Sequence, residues 1–145
     1  MNMLYDAMDV AKYIVTYCYE NGKPISNLKL QKMMYFTWVD YYRETGNPLF
    51  LDDICAWKLG PVVPEVYYGF CPYAAAPIRR SFECDLLSAD ATIVTESIEK
   101  WMYQSASALV NITHKEDGPW SIIFDKGRGF RDVIPFDLII EKECM

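Results

Sequence analysis

This sequence has only one histidine, no CxxC motif and no long apolar run. Because His114 is the only imidazole, a Ser-His or Cys-His catalytic arrangement would have to use it, and no GxSxG motif supplies a serine. The cysteines form no CxxC pair and are scattered at Cys18, Cys55, Cys71, Cys84 and Cys144. One imidazole and scattered thiols give no metal-ligand spacing, so we expect no metal site and no cofactor.

No apolar stretch approaches the ~18 residues that a membrane-spanning helix needs, and residues 1–6, MNMLYD, do not resemble a signal peptide. We therefore expect a soluble, cytoplasmic protein whose thiols stay reduced and buried. Acidic residues outnumber basic ones by 20 to 14, and the resulting charge of −6 repels phosphate backbones. Nucleic acid is thus not an expected partner, and we interpret the basic segment 126–131 as a solvated, flexible loop.

Residues 25–46 predict a helix that is apolar over most of its circumference and that other elements surround. Ser26 can cap its start, and Gly46 suits the left-handed residue that ends it. Its polar side chains fall in one narrow stripe that also contains Phe36, namely Lys29, Lys32, Asp40 and Arg43. Such a stripe faces water or a partner, and Phe36 is either an interface anchor or a residue covered by a loop.

The remaining pattern predicts a mainly α (α+β) fold, a compact helical domain around a central buried helix with a small two- or three-stranded β element. We expect helices at 6–21, 64–70 and from residue 88 to about 112, the last with a possible kink at 105–108, and a short helix after Pro135. Strand-like runs at 54–59 and 78–83 could pair as a small sheet, and a turn is expected at 118–120. Residues 1–145 are expected to form a single domain.

The chain also carries three motif blocks, ISNLKLQKMMYFTW (25–38), AWKLGPVVPEVY (56–67) and THKEDGPW (113–120). In order and spacing they resemble the Panacea domain, the SocA-like antitoxin family that is also met in phage-associated proteins. The resemblance implies a helical domain from bacterial, prophage and phage toxin-antitoxin systems that neutralises its toxin by direct binding. It further implies that one branch delivers its toxin to the protease ClpXP.

The candidate partner-binding or motif residues combine the stripe with the matched blocks: Lys29, Lys32, Phe36, Asp40, Trp57, Glu65, Tyr67, His114 and Trp120. Packing alone does not require the ionisable groups of Lys32, Glu65 and His114. They either contact a partner or bond to each other and hold the three blocks together.

We therefore predict a non-enzymatic antitoxin whose partner is a cognate protein toxin. The alternatives are a proteolytic adaptor that delivers the toxin to ClpXP and a small hydrolase-like enzyme that uses His114. The sequence names neither the toxin nor an oligomeric state.

Overall fold

The computed structural model describes residues 4–145, in which seven α-helices accompany one antiparallel hairpin. The elements are α1 Ala7–Glu20, α2 Asn27–Thr45, β1 Cys55–Trp57, β2 Gly60–Val62, α3 Pro64–Phe70, α4 Ser88–Trp101, α5 Ala106–Thr113, α6 Pro119–Phe124 and α7 Phe136–Ile139. A π-helical turn, Ile140–Cys144, continues α7, and short 3₁₀ turns occupy Cys71–Tyr73 and Asp125–Gly127. The predicted mainly α fold with a small β element is confirmed.

Helix α2 lies at the centre, as its apolar circumference predicts. The Ser26 hydroxyl caps its start by accepting a hydrogen bond from the Lys29 amide at 3.2 Å, and Gly46, with φ of 72°, ends it. Trp38 is fully buried in the middle of the helix and donates its indole N–H to the Phe50 carbonyl at 3.0 Å. Helices α1, α3, α4 and α5, the strand β2 and the C-terminal π-turn all contact α2.

The sheet differs from the expected pairing of 54–59 with 78–83. Strand β1 pairs instead with β2, so that Cys55 lies opposite Val62 and Trp57 lies opposite Gly60. A two-residue connection brings these strands together at little entropic cost. Segment 78–83 is held elsewhere, because its Ile78 amide donates to the Ile25 carbonyl and its Phe82 amide donates to the Thr16 hydroxyl on α1.

The predicted helix from residue 88 to 112 is two helices rather than one kinked helix. Helix α4 ends at Trp101, and Ser105 starts α5 by accepting a hydrogen bond from the Ala108 amide at 3.1 Å. The small polar residues around position 105 therefore cap a new helix instead of bending the old one. Pro119 likewise begins the short helix α6 where only a turn was expected, and the predicted C-terminal helix after Pro135 is confirmed.

Within residues 4–145, no helix has the length and apolar character that crossing a bilayer requires. The prediction that residues 1–6 are not a signal peptide falls partly on residues 1–3, which lie outside the described residues. The prediction that the cysteines are buried holds for Cys18 and Cys55. It is wrong for Cys71, which is exposed because it lies in the surface turn that follows α3.

Candidate functional site

Lys32 is the first candidate residue whose environment in the structure differs from the one that the sequence predicts. Its side chain is fully buried, and its ammonium donates to the Pro61 carbonyl of the hairpin at 2.7 Å. Burial lowers the pKa of Lys32 to about 7. Gly60, with φ of 114°, permits the close approach, because a Cβ there would lie 3.0 Å from Cε of Lys32. The expectation that the stripe faces water or a partner is wrong at Lys32, since the hairpin covers it.

Helix α4 covers the next part of the stripe. Phe36 is only 5% exposed because the ring of Trp101 stacks on it with centroids 4.3 Å apart. Asp40 is half-buried and accepts hydrogen bonds from the Trp101 indole at 2.9 Å and the Ser97 hydroxyl at 2.7 Å. Lys29 donates to the backbone carbonyl of Met102, the residue that follows α4, and burial lowers the pKa of Lys29. Phe36 is thus covered, by a helix rather than by a loop, and does not project as an exposed anchor.

Two amide side chains of α2 form hydrogen bonds between the first motif block and the second. Gln31 donates to the Asn27 side chain at 2.9 Å, and its own oxygen accepts the Val63 amide at 2.9 Å. Asn27 in turn donates to the Tyr67 carbonyl at 3.1 Å. Sequence reasoning missed the role of Asn27, although a polar residue on a buried helix face is a signal for such a bond. Glu65 takes no part, since it is exposed and its carboxylate forms no side-chain hydrogen bond or ion pair within residues 4–145.

The third block joins the second through Trp120, whose indole donates to the Trp57 carbonyl at 2.7 Å. The ring of His114 stacks on Trp120, with centroids 3.8 Å apart and planes 1° from parallel. Burial and the positive charge of Lys32 lower the pKa of His114, and its buried Nε2 has no hydrogen-bond partner within residues 4–145. These contacts hold the imidazole in place and favour its neutral form.

A shallow depression of about 510 Å³ lies beside His114. The serine that lines it, Ser121, donates its hydroxyl to the backbone carbonyls of His114 and Lys115 rather than to the imidazole. Activation of a serine requires a hydrogen bond to the base, and the structure places no such bond at His114 among the described residues.

A larger groove of about 580 Å³ lies where the first two motif blocks meet. We call it the hairpin groove; its apolar lining is Leu28, Trp57, Leu59, Val62, Tyr67, Ala74, Ala75 and Phe130. Trp57 and Tyr67 contact each other edge to face with centroids 4.9 Å apart. Leu59 and Phe130 are 49% and 50% exposed. The structure therefore exposes apolar and aromatic side chains around a concave surface.

Only three of the nine candidate residues line the hairpin groove: Lys32 in its floor, and Trp57 and Tyr67 in its wall. Lys29, Phe36 and Asp40 lie against α4, while His114 and Trp120 line the separate depression. The sequence missed Leu59 and Phe130, because nothing in a local pattern shows that a turn and a distant loop border one groove.

Comparison with known proteins gives two matches. The family described as "Antitoxin SocA-like, Panacea domain" matches residues 30–121, which include all of the hairpin and α3. The protein named Antitoxin SocA from Caulobacter vibrioides (strain NA1000 / CB15N) is 37% identical over 133 residues, covering 81% of this chain and 70% of that protein. No solved structure matches this chain significantly.

Proposed function

This chain belongs to the SocA-like, Panacea-domain antitoxin family, and we propose that it neutralises a protein toxin by binding the toxin directly. The observation that carries the proposal is the 37% identity to a protein named Antitoxin SocA across most of the chain. We further propose that residues 1–145 act as one domain in the cytoplasm, without making or breaking a covalent bond.

The surface that best supports binding is the hairpin groove. Protein interfaces gain most of their free energy from a few aromatic and apolar side chains that are desolvated at the centre of the contact. Leu59, Tyr68 and Phe130 are each about half exposed, and all three lie close to Trp57 or to the groove that it lines. Burying them against a partner would remove apolar surface from water without disturbing the core.

Co-expression tests the proposal directly. The reading frame next to this gene is expressed alone and together with the chain, and the two products are then purified through a tag on the chain. We expect growth arrest with the neighbour alone, restored growth with both, and a stable complex. Restored growth without a complex would contradict neutralisation by direct binding.

The same complex separates neutralisation from delivery to a protease. The lifetime of the purified toxin is measured with ClpXP, in the presence and absence of the chain. An unchanged lifetime together with restored growth supports neutralisation by binding alone. Faster degradation when the chain is added would support the adaptor function instead.

A further inference from the structure

We propose that the hairpin groove binds a segment of the toxin in which apolar side chains are flanked by aspartate or glutamate. This inference rests on the proposed function, because it takes the partner to be a protein toxin. We expect the bound segment to carry apolar side chains because the groove is lined by Leu28, Leu59 and Phe130 together with the rings of Trp57 and Tyr67. An apolar side chain that enters this groove loses its water-exposed surface on several sides.

The polar groups in the groove favour a protein segment over a small polar ligand. Pockets for small ligands present a few convergent polar groups that fix the orientation of the ligand. Here the polar side chains of the floor already bond to their own chain: Ser26 to an α2 amide, Asn27 and Gln31 to the 63–67 segment, and Lys32 to Pro61. A segment that binds in the groove would therefore contact mainly apolar surface.

The charge around the groove is opposite in sign to that of the whole chain. The chain carries 20 acidic and 14 basic residues, yet no carboxylate is among the residues that line the groove. Lys58 lies at its edge and is exposed, and the guanidinium of Arg131 lies 4.8 Å from the centroid of the Trp57 ring. Neither cation takes part in an ion pair within residues 4–145. Two unpaired cations beside an apolar groove are complementary to an apolar segment with flanking carboxylates.

Labelled peptides provide the direct test. Three sets of twelve-residue, fluorescein-labelled peptides share a central Leu-x-x-Phe and differ only in their flanks, which are Asp/Glu, Ser/Gln or Lys/Arg. Binding to the full chain is measured by fluorescence anisotropy. We expect the acidic set to bind at least about tenfold more tightly than the basic set, with the neutral set between them. Absence of binding by all three sets, or equal binding, would overturn the inference.

Two variants with matched controls locate the binding on the chain. Lys58→Glu reverses the exposed charge at the groove, and Lys142→Glu makes the same change at an exposed position outside it. Leu59→Ser removes an apolar wall that is 49% exposed, and Leu51→Ser is its control at a site 55% exposed and outside the groove. We expect each groove variant to weaken acidic peptide binding about tenfold and each control to leave it unchanged. Equal losses in variant and control would place the binding elsewhere.

The outcomes keep this inference separate from the proposed function. If the chain restores growth and forms a complex with the toxin but the acidic peptides do not bind, toxin binding stands and the groove chemistry is wrong. If the acidic peptides bind through Lys58 and Leu59 but no toxin is neutralised, the groove recognises such segments and the antitoxin proposal fails.

Discussion

The burial of Lys32 predicts that the free energy of unfolding of this protein rises as the pH rises from 7 to 9. An ammonium has an ordinary pKa of 10.5, and burial lowers the value for Lys32 to about 7. Between these two values the unfolded chain binds a proton that the folded chain does not, so stability increases with pH. The variant Lys32→Met keeps a side chain of similar length and removes the titrating group.

The magnitude follows from the two pKa values. From pH 7 to pH 9 the fraction of unfolded chains that hold the Lys32 proton hardly changes, whereas the folded protein goes from half protonated to almost wholly deprotonated. Linkage then gives a gain of about 2 kcal/mol in the free energy of unfolding for the wild type over this interval. The variant should not show this gain.

Urea denaturation followed by circular dichroism at pH 7 and pH 9 measures the effect in both proteins. Other groups that titrate in this range, including the thiols, are common to the two proteins and cancel in the difference. Loss of the bond to the Pro61 carbonyl also destabilises the variant, but equally at both pH values. A stability difference between wild type and Lys32→Met that is the same at pH 7 and pH 9 would show that the pKa of Lys32 is not lowered by burial.

Four further predictions concern Gly60, Phe36 and His114. Gly60→Ala should lower the free energy of unfolding by about 2–4 kcal/mol in a urea titration, because φ is 114° and the new methyl group would lie 2.6 Å from the buried hydroxyl of Thr113. The control is Gly127→Ala, where φ is 99° but the space around the new methyl group is open, and we expect a clearly smaller decrease in its free energy of unfolding. Phe36→Ala should lower the free energy of unfolding by about 3–5 kcal/mol in the same urea titration, because Trp101 covers the Phe36 ring. A loss of toxin affinity with unchanged stability would contradict the burial of Phe36. Since burial lowers the pKa of His114 from 6.5, acidification below that value should destabilise the wild type more than His114→Phe in thermal melts at pH 7 and pH 5. The His114→Ala variant should still restore growth, and its loss of function with Tm and toxin affinity intact would contradict a non-enzymatic role.

The candidate site was only partly predictable. The motif blocks drew attention to Trp57 and Tyr67, which do line the hairpin groove, and to Lys32, which lies beneath it. Whether any of these residues contacts a toxin remains a prediction that the peptide and co-expression experiments test. The stripe on α2 left open whether Phe36 is an exposed anchor or a covered residue, and the structure shows that helix α4 covers it. The sequence could not choose between the two, because a helical wheel shows which side chains share a face but not what packs on that face.

The sequence by itself determined the features that depend on neighbouring residues. Apolar periodicity and the capping residues Ser26 and Gly46 placed α2 almost to the residue, and Pro64 marked the start of α3, because caps and helix periods act within a turn or two of the chain. Tertiary structure alone decided that β1 pairs with β2, that α4 covers Phe36, and that the hairpin buries Lys32. These outcomes depend on contacts between residues far apart in sequence, whose free energies compete across the whole fold, so no local pattern could choose among them.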